Sequence, residues 1–258
     1  MKKNNLSVIV IAKDEEQIIK ECLDSVKWAD EIVVVIDDRT TDKTAQIVRN
    51  YTQKVFFHKF ETFSEIKQYA LKKARGEWVL ALDADEQATP LLKKEIRKKI
   101  QNLSFDGFAV YYRLVFLGKL LRQEERTQGA IRLFKRARGN YTDAAIHERV
   151  IVKGKVGILE NPILHHSHQS IYRSVAKFNE YTSLEAKHLF ETGVRTNILK
   201  ILLSPVYVLF FDYVIQKKSH DGSYGLVRSL LYSIYVLLEH LKLWELQQKE
   251  LKETFSKP

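Results

Sequence analysis

Cysteine, methionine, proline and glycine are all scarce in this chain of 258 residues, which holds one Cys, one Met, four Pro and ten Gly. A lone cysteine, Cys22, excludes an intrachain disulfide, and a reducing, cytosolic setting is the default expectation. So little Gly and Pro beside 45% hydrophobic residues excludes disorder, collagen-like repeats and linker-rich arrays. The length suffices for an ordinary core without metal or disulfide staples. There is no internal repeat and no low-complexity segment. Lys2-Lys3 followed by the apolar run Leu6 to Ala12 has the outline of a short signal peptide. No small-residue cleavage site follows, only Lys13-Asp14-Glu15-Glu16, so the run is expected to be a buried strand. What the chain has in excess is positive charge, 42 Lys+Arg against 32 Asp+Glu, a net +10. That calls for an acidic partner: nucleic acid, anionic lipid or a phosphorylated substrate. Neither a helix-turn-helix signature nor a basic platform interleaved with aromatics is present, so nucleic acid is not the expected partner.

Leu6 to Ala12 is apolar without strict alternation, which predicts a parallel-sheet strand covered on both faces. Ile18, Ile19, Cys22, Leu23 and Val26 recur at helical spacing, and Glu31 to Ile36 predicts a second buried strand, giving a βαβ opening. The pattern continues with a helix over Thr44 to Tyr51, a strand over Val55 to His58 and a helix over Ser64 to Ala74. A strand over Glu77 to Leu82 then runs into Asp83-Ala84-Asp85-Glu86, and Thr89-Pro90 opens another helix with Pro at its first position. This alternation predicts an α/β fold, a mainly parallel sheet with helices on both faces, and ligands beyond the carboxyl ends of its strands. From about residue 105 the character changes. Gly107 to Leu117 and Ile131 to Lys135 are predicted strands with a polar segment between them, and Arg113 to Arg138 carries eight basic residues against two acidic. A long helix fits Tyr172 to Phe190, followed by apolar stretches at Ile198 to Ile215 and Leu226 to Trp244. The expected division is an α/β domain over residues 1–190 and a helical extension over 191–258.

Acidic residues gather where the parallel strands end: Asp14, Glu15 and Glu16 after the first, Asp37 and Asp38 after the second, Asp83 and Asp85 after the third long one. One such cluster is ordinarily a solvated loop tip. Three at neighbouring strand ends need a cation or ligand donors between them, because carboxylates crowded together repel and are costly to bury. Oxygen donors favour Mg²⁺ or Mn²⁺ over zinc. Asp83 and Asp85 stand at i and i+2, on one side of an extended segment, so they could share an ion.

The segments LSVIVIAKDEE, EIVVVIDDRTTDKT and ARGEWVLALDADE, with their spacing, closely resemble the nucleotide-sugar-dependent glycosyltransferases of family 2 over roughly the first hundred residues. The resemblance implies the Rossmann-like GT-A fold and a UDP-sugar donor. It assigns Ala12, Asp14, Glu15, Asp37, Asp38, Asp83 and Ala84 to the nucleotide sugar and Asp85 to a metal bridging the diphosphate. Arg39 replaces the Gly of the family's Asp-Asp-Gly-Ser-Thr-Asp signature, which bears on the local backbone, since Gly reaches φ > 0 at little cost and Arg does not. Ser64 to Leu71 matches the family's Arg/Lys-Asn-x-Ala-Leu helix and makes Lys67 either a diphosphate contact or a solvated helix lysine. A nucleotidyltransferase would need a Gly-rich phosphate loop after the first strand, and Ala12-Lys13-Asp14-Glu15 has no Gly.

Downstream, Ile146-His147-Glu148-Arg149, Ile163-Leu164-His165-His166-Ser167-His168, Asp221-Gly222 and Lys242-Leu243-Trp244-Glu245 look like the branch containing bacterial lipopolysaccharide core β-1,4-glucosyltransferases. What this implies is an inverting transfer of a hexose, glucose from UDP-glucose, to an inner-core sugar of a lipid-linked acceptor at the cytoplasmic face of the membrane. Late histidines in GT-A enzymes contact the metal or diphosphate, and His165 is the choice here, the alternative being a turn cap. Glu148 is the expected base with Asp143 in reserve, unless Glu148 pairs with Arg149 or Arg132. Arg126, Arg132 and His147 are expected at the acceptor, and Arg113, Arg122, Arg136 and Arg138 could join them on acidic core sugars. Lys200, Ser204, Pro205 and Asp212 interrupt Ile198 to Ile215. Together with Leu226 to Trp244 it is read as a helical hairpin packed on the domain or on a second subunit of a homo-oligomer, or as an interfacial element on anionic lipid with Lys217-Lys218.

Overall fold

The structure, a computed structural model, describes residues 5–59, 62–101, 104–142, 149–168 and 170–255. Strands and helices alternate first: β1 (Leu6–Ala12), α1 (Ile19–Val26), β2 (Glu31–Ile36), α2 (Thr44–Arg49), β3 (Val55–Phe57), α3 (Phe63–Lys73), β4 (Trp78–Asp83), β5 (Glu86–Ala88) and α4 (Pro90–Lys99). A strand-rich stretch follows, with β6 (Gly107–Phe116), β7 (Lys119–Lys135), β8 (Gly139–Tyr141), β9 (Val150–Val152), β10 (Val156–Ile158) and β11 (Ile163–His168). Three helices complete the chain, α5 (Ile171–Glu191), α6 (Ile198–Phe210) and α7 (Ser223–Phe255). A π-helical turn, Phe211–Ile215, prolongs α6, and a 3-10 turn, Lys218–Asp221, precedes α7.

The main sheet runs β3-β2-β1-β4-β7-β6-β11-β5, with β10 added along β6. The pairs β2–β3, β1–β2 and β1–β4 are parallel, whereas β4–β7 and β5–β11 are antiparallel. This is the mainly parallel, helix-flanked α/β architecture of the GT-A expectation. Side chains alternate across a strand, and β1 shows why its sequence does not. Val8, Val10 and Ala12 pack with Ile19, Cys22, Leu23, Val48, Leu92 and Ile96 on one face. Ile9 and Ile11 pack with Ile66, Ala70 and Leu71 of α3 on the other. Both faces are dry, so both registers of the strand must be apolar. At the amino end of the sheet a Cβ on Gly76 would lie 2.6 Å from Ser7 Oγ, and the Gly76 N–H donates to that oxygen at 2.8 Å. Only a residue without a side chain allows this approach.

The segment between β6 and Ile131 departs from the sequence reading. The polar segment expected between two strands is itself part of β7, continuous from Lys119 to Lys135. Leu117 and Gly118 both take positive φ, 48° and 79°, the conformation of a two-residue hairpin turn that lays β7 beside β6. Strand pairing, rather than hydrophobic alternation, fixes that part of the chain as β.

The chain divides into two compact units, one of Met1–Leu114 with Glu124–His166, the other of Val115–Gln123 with Ser167–Pro258. Helix α5 thus falls in the second unit, where Phe178 meets Tyr235 of α7 edge to face at 5.2 Å. Lys242 of α7 reaches Asn179 Oδ1, Thr182 Oγ1 and Ser183 Oγ of α5 at 2.8–2.9 Å. Antiparallel to α7 runs α6: Thr196 N donates to Gln247 Oε1 at 2.9 Å, and Ser233 Oγ donates to the Pro205 carbonyl at 2.8 Å.

Between α5 and α7, burial and a hydrogen bond to Glu185 push the Glu239 carboxyl up to about 7. A carboxyl raised on folding contributes stability while protonated and loses it as pH rises through the folded value. The wild-type melting temperature should therefore fall between pH 5 and pH 8. Glu239→Gln should melt close to wild type at pH 5 and above it at pH 8; parallel profiles for the two proteins would contradict the assignment.

Candidate active site

The carboxyl ends of β2, β1 and β4 lie side by side. Ile11 is level with Val35 on one side and with Asp83 on the other, so the segments that leave these strands share one edge of the sheet. Asp37, fully buried, accepts from Arg39 three times, from its N–H at 2.9 Å, Nε at 2.9 Å and Nη2 at 2.6 Å. Although burial opposes its ionisation, Arg39 holds Asp37 below the ordinary carboxylate value. The residue that replaces the signature glycine therefore serves the neighbouring aspartate. Among the described non-glycine residues, positive φ occurs at Asp14, Leu117 and Lys217 and not at Arg39. Asp14, at φ 52°, accepts from the Thr41 N–H at 2.8 Å. Glu15 N donates to Thr44 Oγ1 at 2.8 Å, and Glu16 N donates to Asp42 at 2.9 Å. The loops after β1 and β2 are thus laced into one rim. Asp38 is exposed on it and Ala12 is buried beneath, its carbonyl accepting from Asp37 N at 3.0 Å.

At the end of β4 a second set of charges converges from four elements. Helix α3 begins with a capping box, Thr62 and Glu65 each bonding the other's backbone N–H, and this seats Lys67 against the sheet with its side chain 9% exposed. Lys67 Nζ lies 3.1 Å from Asp83 Oδ1. Arg132 comes from β7, one residue beyond Leu133, which is level with Leu80 of β4. Its Nη2 lies 3.0 Å from Asp83 Oδ2 and 2.9 Å from Glu86 Oε1, and its Nε donates to the Tyr112 hydroxyl on β6. Glu86 Oε2 accepts from Asp83 N at 2.9 Å.

Burial resists ionisation of both carboxyls, with different outcomes. Arg132 and Lys67 overcome it at Asp83, which is held well below the carboxylate range, whereas burial pushes Glu86 up to about 7. If the pair shares a proton, it rests on Glu86 and Asp83 stays charged. On the far side, pairing of β5 with β11 sets His165 level with Glu86, and His166 N donates to the Asp85 carbonyl at 2.8 Å. His165 Nε2 is 3.5 Å from Asp85 Oδ2, and against its burial Asp85 holds His165 above the ordinary imidazole value.

Of the residues singled out in the sequence, the structure brings Lys67, Asp83, Ala84, Asp85, Arg132 and His165 together at the end of β4, and Ala12, Asp14, Glu15, Asp37 and Asp38 onto the adjoining rim. Arg132, expected at the acceptor, has its guanidinium taken up by Asp83, Glu86 and Tyr112. Arg136 and Arg138 line a cleft with Asn5, Arg75 and Glu77 at the amino ends of β1 and β4, the opposite edge of the sheet. This corrects their expected place at the acceptor: Lys135, three residues past Arg132, is already level with Trp78, where β4 begins. Asp143, His147 and Glu148, and the side chain of Arg126, lie outside the described residues. Glu86 and Tyr112 were missed. Glu86 reads as one more acid in an acidic turn, and Tyr112 as an ordinary strand aromatic. The one available signal was Arg132 itself, a cation in an apolar strand that must find counter-charge.

A carboxylate and an imidazole at one point suit a divalent cation that keeps waters or takes phosphate oxygens in its remaining positions. Among the described residues no third His, Cys, Asp or Glu joins them as a preformed metal cluster. Asp85 and His165 are thus two candidate donors and not a complete metal site.

The profile of the family described as glycosyl transferase family 2 matches residues 7–150, more than half of the chain. The chain belongs to glycosyl transferase family 2. Over 253 residues it is 26% identical to the lipopolysaccharide core biosynthesis glycosyltransferase LpsC of Rhizobium meliloti, covering 93% of this chain and 92% of LpsC. It is also 26% identical over 264 residues to an uncharacterized glycosyltransferase of Rickettsia typhi, covering 96% and 89% of the two chains. Among solved structures it is similar to residues 1–349 of S. aureus TarS in complex with UDP-GlcNAc, at 17% identity and a TM-score of 0.49, over 90% of this chain and 81% of that one.

In this family 2 glycosyltransferase, Arg132 is the shared partner of the buried Glu86 and the partly buried Asp83. Removing one member of a buried ion group leaves the others uncompensated, at a cost of about 3–5 kcal/mol. Arg132→Met should lower unfolding stability in urea by that order, and adding Glu86→Gln should recover part of the loss. An Arg132→Met protein as stable as wild type would show that the network carries no structural weight.

Proposed function

We propose that the protein is an inverting hexosyltransferase that moves glucose from UDP-glucose to an inner-core sugar of lipopolysaccharide or lipooligosaccharide, peripheral to the cytoplasmic face of the membrane. The observation that carries the reading is the pairing of Asp85 with His165 beside an Asp83 held ionised by Lys67 and Arg132, next to the Asp37–Asp38 rim. The rim offers carboxylates and backbone groups to a nucleoside, and the β4 end offers a partial cation shell and a lysine to a diphosphate. A divalent cation, Mg²⁺ or Mn²⁺, held by Asp85 and His165 would offset charge on the donor's diphosphate. Lys67 stabilises the same developing charge at the leaving oxygen. The transition state has oxocarbenium character, and the acceptor hydroxyl loses its proton to a base on the opposite face of the sugar. Glu148 is that base, with Asp143 in reserve, and Arg126 and His147 hold the acceptor. The name of the relative LpsC supports a lipopolysaccharide core acceptor. Transfer to another cell-surface polysaccharide or glycolipid would use the same donor site.

Calorimetry tests the donor site directly. UDP should bind with Mn²⁺ and much more weakly in EDTA, and Asp85→Ala should abolish the difference. Equal affinity in EDTA would remove the metal. Hydrolysis screened across UDP-glucose, UDP-galactose and UDP-N-acetylglucosamine should favour UDP-glucose. In the transfer assay Glu148→Gln should lower kcat by about 10²- to 10⁴-fold, the range of general acid-base catalysis, with the melting temperature unchanged. Wild-type turnover in that variant would move the role to Asp143.

A further inference from the structure

The segment Ile198–Ile215 has a mean hydropathy of 1.9, yet only 17% of it is buried. A helix that apolar in a water-soluble unit normally sits in the core. Here Ile201 and Pro205 are buried, while Leu199, Leu202, Leu203, Val206, Tyr207 and Phe210 are each 56–68% exposed. Those six fall at i, i+3, i+4, i+7, i+8 and i+11, one continuous stripe on α6. Val214 and Ile215 extend the exposed apolar surface at 47% and 54%.

The chain around this stripe carries an excess of cations. From Arg195 to Lys218 the chain holds four cations, Arg195, Lys200, Lys217 and Lys218, and one acid, Asp212. Asp212 is buried and ion-paired with Lys218, and Glu250 of α7 pairs with Arg195 at 3.1 Å, which leaves Lys200 and Lys217, towards the two ends of the stripe, without an ion pair among the described residues. Lys217 is exposed. Tyr207 and Tyr213 belong to the residue type that settles at headgroup level.

We propose that this stripe docks the second unit on an anionic phospholipid bilayer, with α6 lying in the interface and not crossing it. The proposal deepens the reading of a lipid-linked acceptor, on which it rests for its biological purpose. Two observations exclude a span. Both ends of α6 are tied to polar parts of the same unit: Thr196 and Arg195 bond Gln247 and Glu250, and Asp221, just past the other end, accepts from Arg122 N at 2.7 Å. The helix also runs antiparallel to the part of α7 that carries Glu239, His240 and Lys242, and a crossing would draw those groups into hydrocarbon. A second copy fits the stripe less well than lipid does. A two-fold pairing of the stripe with itself would set the lysines towards its ends, Lys200 and Lys217, against one another.

The test is flotation of the full chain with phosphatidylcholine vesicles and with vesicles of equal parts phosphatidylcholine and phosphatidylglycerol, paired with UDP calorimetry on the same preparations. Wild type should float with the anionic vesicles, less at high salt. The double variant Val206→Asp, Phe210→Asp should stay in the dense fraction while binding UDP as wild type does. Lys217→Gln should weaken binding to the anionic vesicles about fivefold, the effect of one lysine at such a surface. Wild type that stays dense with both vesicles, or a double variant that floats like wild type, overturns the proposal. So does a wild-type dimer in sedimentation velocity that the double variant converts to monomer, which would make a second copy the occupant. UDP binding without flotation overturns only the docking, and flotation without UDP binding overturns only the donor reading.

Discussion

Glu86 is buried at the end of β4 beside the partly buried Asp83, and two carboxyls this close resist ionising together unless cations meet them. Asp83 and Glu86 are met by one guanidinium, with Lys67 completing the set on Asp83. Much of the first unit is arranged around this requirement. The capping box of α3 fixes Lys67, the β4–β7 register brings Arg132 alongside, and β6 supplies the Tyr112 hydroxyl. The pairing of β5 with β11 then holds His165 against Asp85 just outside the network. Asp83 is thereby engaged by cations of the protein, while Asp85 faces His165.

The rim formed after β1 and β2 follows the same logic with a different partner. Asp37 is buried and would be costly alone, and Arg39 supplies both its backbone N–H and its guanidinium. A glycine at that position could offer only the N–H. The left-handed residue of this rim is Asp14, whose carboxylate accepts from Thr41, so the backbone freedom of a glycine is not needed after β2.

The parallel half of the fold was legible because its signal is local. Strands covered on both faces leave continuous apolar runs, helices leave a 3.6-residue rhythm, and acids mark the strand ends. The end of β4 was legible as a position and a motif, but the partners of its charges were not, since Arg132 lies 49 residues from Asp83 and only the sheet order brings them together. The polar centre of β7 was illegible for the same reason: its strand character comes from a hairpin turn and a neighbouring strand. Arg136 and Arg138 share a basic run with Arg132, yet a strand rises about 3.3 Å per residue, enough to carry them to the opposite edge of the sheet.

In the proposed reading Asp85 and His165, and not Asp83, receive the cation that accompanies the donor. The most direct measurement is anomalous diffraction from a crystal grown with Mn²⁺ and UDP. A manganese peak is expected within coordinating distance of Asp85 and His165, with Asp83 still bridged to Lys67 and Arg132. A peak on Asp83, with Arg132 displaced from it, would contradict the account.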